Sequence, residues 1–122
     1  MLKAMVVDDS KAVRRILSRI LKEVGYEVCE AGDGKEALAL LESGVAVSLI
    51  LVDWNMPEMD GLGFVRAVRS DSRYSSVKVM MVTTETEMER MVTALEAGAN
   101  EYVMKPFTPD IISDKLRLLG VL

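Results

Sequence analysis

Histidine is absent from all 122 residues. That removes the commonest general base and the commonest transition-metal ligand, so any imidazole chemistry must arrive with a partner. Cysteine occurs once, at Cys29, which excludes an internal disulfide and points to a reducing, cytoplasmic setting. Cys29 itself is expected as a small buried thiol in a strand. No apolar run approaches the roughly 20 residues of a membrane span. The opening "MLKAMVV" meets Asp8-Asp9 before it could form a signal-peptide core. Lys and Arg number 15 against 19 Asp and Glu, a net charge of −4. This argues against nucleic acid as a partner, because phosphate binding needs a basic surface.

What is there describes a folded globule. Half the residues are hydrophobic and 28% are charged, and the length suits one domain spanning residues 1–122, with a monomer as the default state. Two periods alternate along the chain. Leu2 to Val7 reads as a strand. "SKAVRRILSRILKEVG" then sets Val13, Ile16, Leu17, Ile20, Leu21 and Val24 on one helical face, with Arg14, Arg15, Arg19 and Lys22 opposite. Ser10 or Asp9 can cap its start and Gly25 its end.

The cycle repeats four times. Strands are expected over Glu27 to Ala31, Val47 to Val52, Lys78 to Val82 and Glu101 to Met104. Helices are expected over Gly34 to Ser43, Gly61 to Arg69, Glu85 to Ala97 and Pro109 to Leu119. The third and fourth strands are near-continuous apolar runs, as when helices cover both faces. Right-handed crossovers then make an α/β fold: a doubly wound, five-stranded parallel sheet flanked by five helices.

Polar residues fall at strand ends. Asp8 and Asp9 follow the first strand, and Asp53 the third. Thr83 follows the fourth, and Lys105 the fifth. Ligands of open parallel sheets bind outside the carboxyl ends of the strands, where strand order reverses. In the order 2-1-3-4-5, Asp8, Asp9 and Asp53 converge there and face Thr83 and Lys105. Taken singly, an Asp after a strand is a turn residue, Thr83 an ordinary β residue and Lys105 a solvated one. Their joint placement on four strands is the signal. Three carboxylates repel one another unless a cation intervenes, and an all-oxygen donor set suits Mg²⁺ before Zn²⁺. A hard cation, an ammonium and a hydroxyl suit a phosphoryl group, and Asp53, at the centre, can act as a nucleophile that forms an aspartyl phosphate.

The stretches "VVDDS" (6–10), "LVDWNMPEMDG" (51–61), "MVTTE" (81–85) and "YVMKPF" (102–107) resemble response-regulator receiver domains, most of all those of the chemotaxis type. The resemblance covers essentially the whole chain and implies the flavodoxin-like strand order 2-1-3-4-5. It further implies that Asp53 takes a phosphoryl group from a phosphohistidine on a sensor histidine kinase. Asp9, Asp53 and the backbone carbonyl of Asn55 would bind Mg²⁺, or Mn²⁺ in its place, with Asp8 acting through water. Lys105 and Thr83 would hold phosphoryl oxygens, and Tyr102 would turn inward to couple the site to the surface of the fourth helix, fifth strand and fifth helix. Lys105-Pro106 resembles the family's cis peptide. Asn55 and Glu85 match positions that influence how fast the phosphoryl group is hydrolysed.

Thr84 departs from the small residue usual there, and its branched side chain is expected to crowd Tyr102. Trp54 either reports on the site or packs for structure alone. In the fourth helix, Val92, Leu95 and Ala99 are expected to form the core stripe. Met88 and Met91 would lie off it, beside Thr86, Tyr102 and Lys115, where exposed Met suits a partner helix. The implied function is a single-domain signalling switch rather than an enzyme, with self-phosphorylation and slow autodephosphorylation only. Its expected output is the flagellar motor switch, with an opposing phosphatase possible.

A phosphorelay intermediate and a receiver cut from a longer regulator are the alternatives within the family. A haloacid-dehalogenase-like phosphatase needs a second Asp two residues after the nucleophile, and Asn55 stands there. A flavodoxin-like carrier of FMN needs a hydroxyl-rich loop where Asp8-Asp9 would repel its phosphate.

Overall fold

The structure, a computed structural model, describes residues 2–85 and 87–122. Five strands, β1 (Lys3–Val7), β2 (Glu27–Ala31), β3 (Leu49–Val52), β4 (Lys78–Thr83) and β5 (Glu101–Met104), pair in parallel in the order β2-β1-β3-β4-β5. The helices are α1 (Lys11–Glu23), α2 (Gly34–Glu42), α3 (Gly61–Arg69), α4 (Met88–Ala97) and α5 (Pro109–Leu118). A 3₁₀ turn over Ser72–Tyr74, absent from the sequence reading, precedes β4.

The central strands are apolar throughout because each face supplies a different layer. Met5, Val7, Ile50, Val52 and Met81 point toward Phe64, Val65 and Val68 of α3 and Ala94 of α4. Their neighbours Ala4, Val6, Leu49, Leu51, Met80 and Val82 meet Leu17 and Leu21 of α1 and Ile112 and Leu116 of α5. Side chains alternate with period two, so each strand feeds both layers. Every fully buried Leu, Ile or Val contributes about 1.5–3 kcal/mol relative to exposure.

Four helices begin with a side-chain cap of the expected kind: Ser10, Asp33, Asp60 and Thr108 each accept a backbone N–H from the first turn. The fourth helix starts three residues later than its periodicity suggests. Glu85 is diverted, because its N–H donates to Thr83 Oγ1 (3.3 Å) and its carbonyl accepts from the Tyr102 hydroxyl (2.7 Å). Its cap, Glu87, makes no side-chain bond.

Three burial expectations are corrected. On α1, Ile16 is exposed and Ser18 is buried, because the helix leans on the sheet through Leu17, Ile20 and Leu21 and turns Ile16 to the open flank. On α4, Val92 and Leu95 are exposed. The small Ala94 makes the close approach, with Met91 half-buried beside it. Cys29 is only half-buried because β2 is an edge strand; burial pushes its thiol pKa up.

Arg69 holds the end of the sheet remote from Asp53. Its guanidinium donates to the carbonyls of Gly98 (2.9 Å), Tyr74 (3.1 Å) and Val77 (2.7 Å) and to Asn100 Oδ1 (2.8 Å). One side chain thus ties α3 to the 3₁₀ turn, to β4 and to the C-cap of α4. Arg69→Met is expected to lower stability to urea by about 2–3 kcal/mol, because four acceptors lose a charged donor. Arg69→Lys should recover less than half, since an ammonium cannot span the fork. Unchanged midpoints in both variants would remove this role.

Candidate functional site

Register and order bring the polar strand ends together. Val7 pairs with Val52 across β1 and β3, so the residues that follow each strand, Asp8 and Asp53, emerge side by side. A carboxylate oxygen from each of Asp8, Asp9 and Asp53 lies within 4.8 Å of the others. Asp8 and Asp53 are buried and Asp9 is exposed.

Each buried carboxylate is held twice. Asp8 Oδ1 accepts the Ser10 N–H (2.8 Å) and its Oδ2 accepts Lys105 Nζ (2.8 Å). Asp53 Oδ1 accepts the Trp54 N–H (2.7 Å) and its Oδ2 accepts the same Lys105 ammonium (3.2 Å). Burial pushes the Asp8 pKa up, against the pull of its bond to Lys105. Burial alone would lower that of Lys105, but Asp8 and Asp53 outweigh it and the net movement is upward, so the ammonium stays charged. Three carboxylates and one ammonium leave two negative charges, and every clustered donor is oxygen. The site fits a hard divalent cation.

Backbone packing fixes Asp53 from behind. The Gly61 N–H donates to the Trp54 carbonyl (2.8 Å), and a Cβ at Gly61 would overlap the Asp53 carbonyl oxygen. The Lys105-Pro106 peptide is cis, with Pro106 exposed.

Three of the other expected site residues, Thr83, Asn55 and Tyr102, meet at Glu85, between β4 and α4. Thr83 is fully buried at the end of β4. Asn55 is exposed, and its amide donates to the Glu85 carboxylate (2.9 Å). Tyr102 is buried, with its hydroxyl on the Glu85 carbonyl. Burial and the Glu85 carboxylate push its phenol pKa up, against the charge of Arg90. Thr84 points to solvent, and the Tyr102 ring lies inward with it in place. Met88 is 74% exposed, Met91 half-buried, and Lys115 paired with Glu101 (3.2 Å). Thr86 lies outside the described residues.

Two contributors were not among the expected site residues. Arg14, assigned to the outer face of α1, donates from Nη1 to the Asp8 carbonyl (2.6 Å) and from Nε to Glu30 (3.2 Å). The Arg90 guanidinium lies 5.2 Å from the ring centre of Trp54, which is buried next to Asp53. Arg14 could have been found from its place one turn after the cap. Arg90 could not have been found, because a helix expected to begin at Glu85 puts it beyond the first turn.

Comparison with known proteins agrees with this geometry. The family described as the response regulator receiver domain matches residues 4–117. Chemotaxis protein CheY1 of Helicobacter pylori is 45% identical over 119 residues, covering 97% of this chain and 96% of that protein. The chemotaxis protein CheY homolog of Campylobacter jejuni is 45% identical over 116 residues, covering 94% and 89%. The solved structure of Vibrio cholerae chemotaxis protein CheY4 has a TM-score of 0.89 at 40% identity, covering 100% of this chain and 99% of that one.

The cluster predicts a cation-dependent stability. A divalent cation at a hundred times its Kd should add about 2.7 kcal/mol, read as a rise in melting temperature. Asp9→Asn should raise the melting temperature of the metal-free protein by relieving repulsion, and should cut the increment by more than half. Mg²⁺, Mn²⁺ and Ca²⁺ should be compared in thermal melts. Equal increments in wild type and variant would show that the cation binds elsewhere.

Proposed function

The chain belongs to the response regulator receiver family, as a CheY-like signalling domain, and on that premise we propose that Asp53 accepts a phosphoryl group from the phosphohistidine of a sensor histidine kinase. The observation that carries the proposal is the Lys105 ammonium bridging Asp8 and Asp53 inside a three-carboxylate cluster.

The chemistry asks little of the chain beyond position and charge. An Asp53 carboxylate oxygen forms the new P–O bond as the P–N bond to the donor imidazole breaks. The electron pair stays on the departing nitrogen, which takes a proton from solvent. Asp53 is not itself freed of hydrogen bonds: the Trp54 N–H orients the carboxylate and Lys105 lies against its other oxygen. Lys105 then counters charge on the phosphoryl oxygens, and Thr83 supplies a hydroxyl from the end of β4. Mg²⁺, or Mn²⁺ in its place, held by Asp8, Asp9, Asp53 and the carbonyl of Asn55, would offset the negative charge that otherwise repels the donor. The absence of histidine means that the chain cannot act as its own donor by this route.

The added charge biases a two-state element on the β4–α4 side. Tyr102, already bonded to the Glu85 carbonyl, links the site to a surface of α4, β5 and α5 that carries Met88, Met91 and Lys115. We assign that surface to an output partner in chemotaxis, such as the flagellar motor switch, with a phosphatase as the opposing activity. The reading places the protein in the cytoplasm. No described helix is long and apolar enough to cross a membrane.

Acetyl phosphate with Mg²⁺ should label the protein once, as read by intact mass, and Asp53→Asn should abolish the label. Lys105→Ala should keep the cation-dependent stabilisation yet slow labelling about 10²-fold, the usual cost of one lost charge-stabilising donor. Persistence of the label in Asp53→Asn would overturn the acceptor assignment.

A further inference from the structure

Arg90 breaks a local rule. It stands in the first turn of α4, where the N-terminal end of the helix dipole disfavours a cation. Among the described residues, α4 is the one α-helix whose N-cap, Glu87, makes no side-chain cap bond. The residues of that turn, Glu87 to Arg90, are all exposed. Among the described residues the Arg90 guanidinium makes no hydrogen bond or ion pair. It lies over the Trp54 ring, 5.2 Å from its centre. That ring belongs to a buried residue whose own N–H is bonded to the Asp53 carboxylate. A residue unfavourable for its helix yet stacked beside the acceptor is best explained by what it does across the gap.

We infer that Arg90 is a positioning residue for the phosphorylated state: lying over Trp54, it fastens the exposed first turn of α4 to the residue that follows Asp53, and the fastening tightens when Asp53 gains negative charge. The inference rests on the acceptor reading above and adds a route by which occupancy at Asp53 reaches α4. At rest, attraction to the ring and repulsion from the dipole oppose each other. A phosphoryl dianion on Asp53 adds attraction for the guanidinium and offsets the repulsion that the dipole imposes on it. The link is reciprocal, so whatever strengthens binding at Asp53 through Arg90 must also order the turn by the same factor. The breadth of the guanidinium matters as well as its charge, because it covers more of the ring than a compact ammonium does.

The test uses beryllofluoride with Mg²⁺ as the phosphoryl mimic. In wild type, the mimic should slow hydrogen exchange at the Met91 amide, which is bonded to the Glu87 carbonyl in that turn. Arg90→Gln should weaken binding of the mimic about fivefold and remove most of the slowing. Arg90→Lys keeps the charge and should retain the greater part of the affinity. Emission of Trp54, the single tryptophan, should shift in both variants because both remove the guanidinium from over the ring. If Arg90→Gln binds the mimic within twofold of wild type and Met91 is slowed equally, the inference fails while the acceptor reading stands. If wild type itself does not bind the mimic, or Asp53→Asn binds it equally well, the acceptor reading falls and the inference with it.

Discussion

One ammonium group in contact with two carboxylates organises this molecule. Lys105 closes β5 against the ends of β1 and β3 by bonding to Asp8 and Asp53 together, and it does so where both acids are shut away from water. An unpaired carboxylate there would be costly; a pair of them with one lysine is tolerable but still short of positive charge. A site finished by its own residues would have no need of a cation, and the shortfall here is one that a hard divalent cation could fill. The crossovers of the sheet, its twin apolar layers and the caps of its helices act together to deliver residues from separate strands to one edge within hydrogen-bonding reach.

Legibility in the sequence followed the range of the forces involved. The bounds of β2, α3 and β5 could be read without error, since apolar periodicity and the flanking Gly, Asp and Pro residues act locally. The convergence of Asp8, Asp9 and Asp53 could be read because parallel order and strand-end placement leave few topologies. The start of α4 could not. Glu85 has helical company on its C-terminal side, but its amide and carbonyl are taken by Thr83 and Tyr102, partners whose approach depends on the finished sheet. Val92 and Leu95 misled for a related reason: an apolar residue marks a core face only if the neighbouring layer reaches it, and on α4 the layer reaches Ala94. Arg14 read as a charge on the outer face of its helix, and Arg69 only as a helix end. Each instead serves backbone carbonyls from other elements, a use that leaves no pattern along the chain.

The two ends of the sheet are therefore built on different lines. At the carboxyl ends, charges are gathered and left partly uncompensated. At the opposite end, the Arg69 guanidinium is surrounded by carbonyls and by the Asn100 amide oxygen, so its donors are spent on structure. Rigidity at one end gives the other a fixed frame against which small displacements of side chains can register.

Gly61 sets how closely α3 can approach the acid-rich edge. Its bare Cα sits against the Asp53 carbonyl, and its amide bonds to the Trp54 carbonyl, so Asp53 is backed by the start of α3. The aspartate's own backbone has no slack to give. A side chain of any size at this position would drive α3 away from the end of β3, so the meeting of the two depends on one missing methyl group.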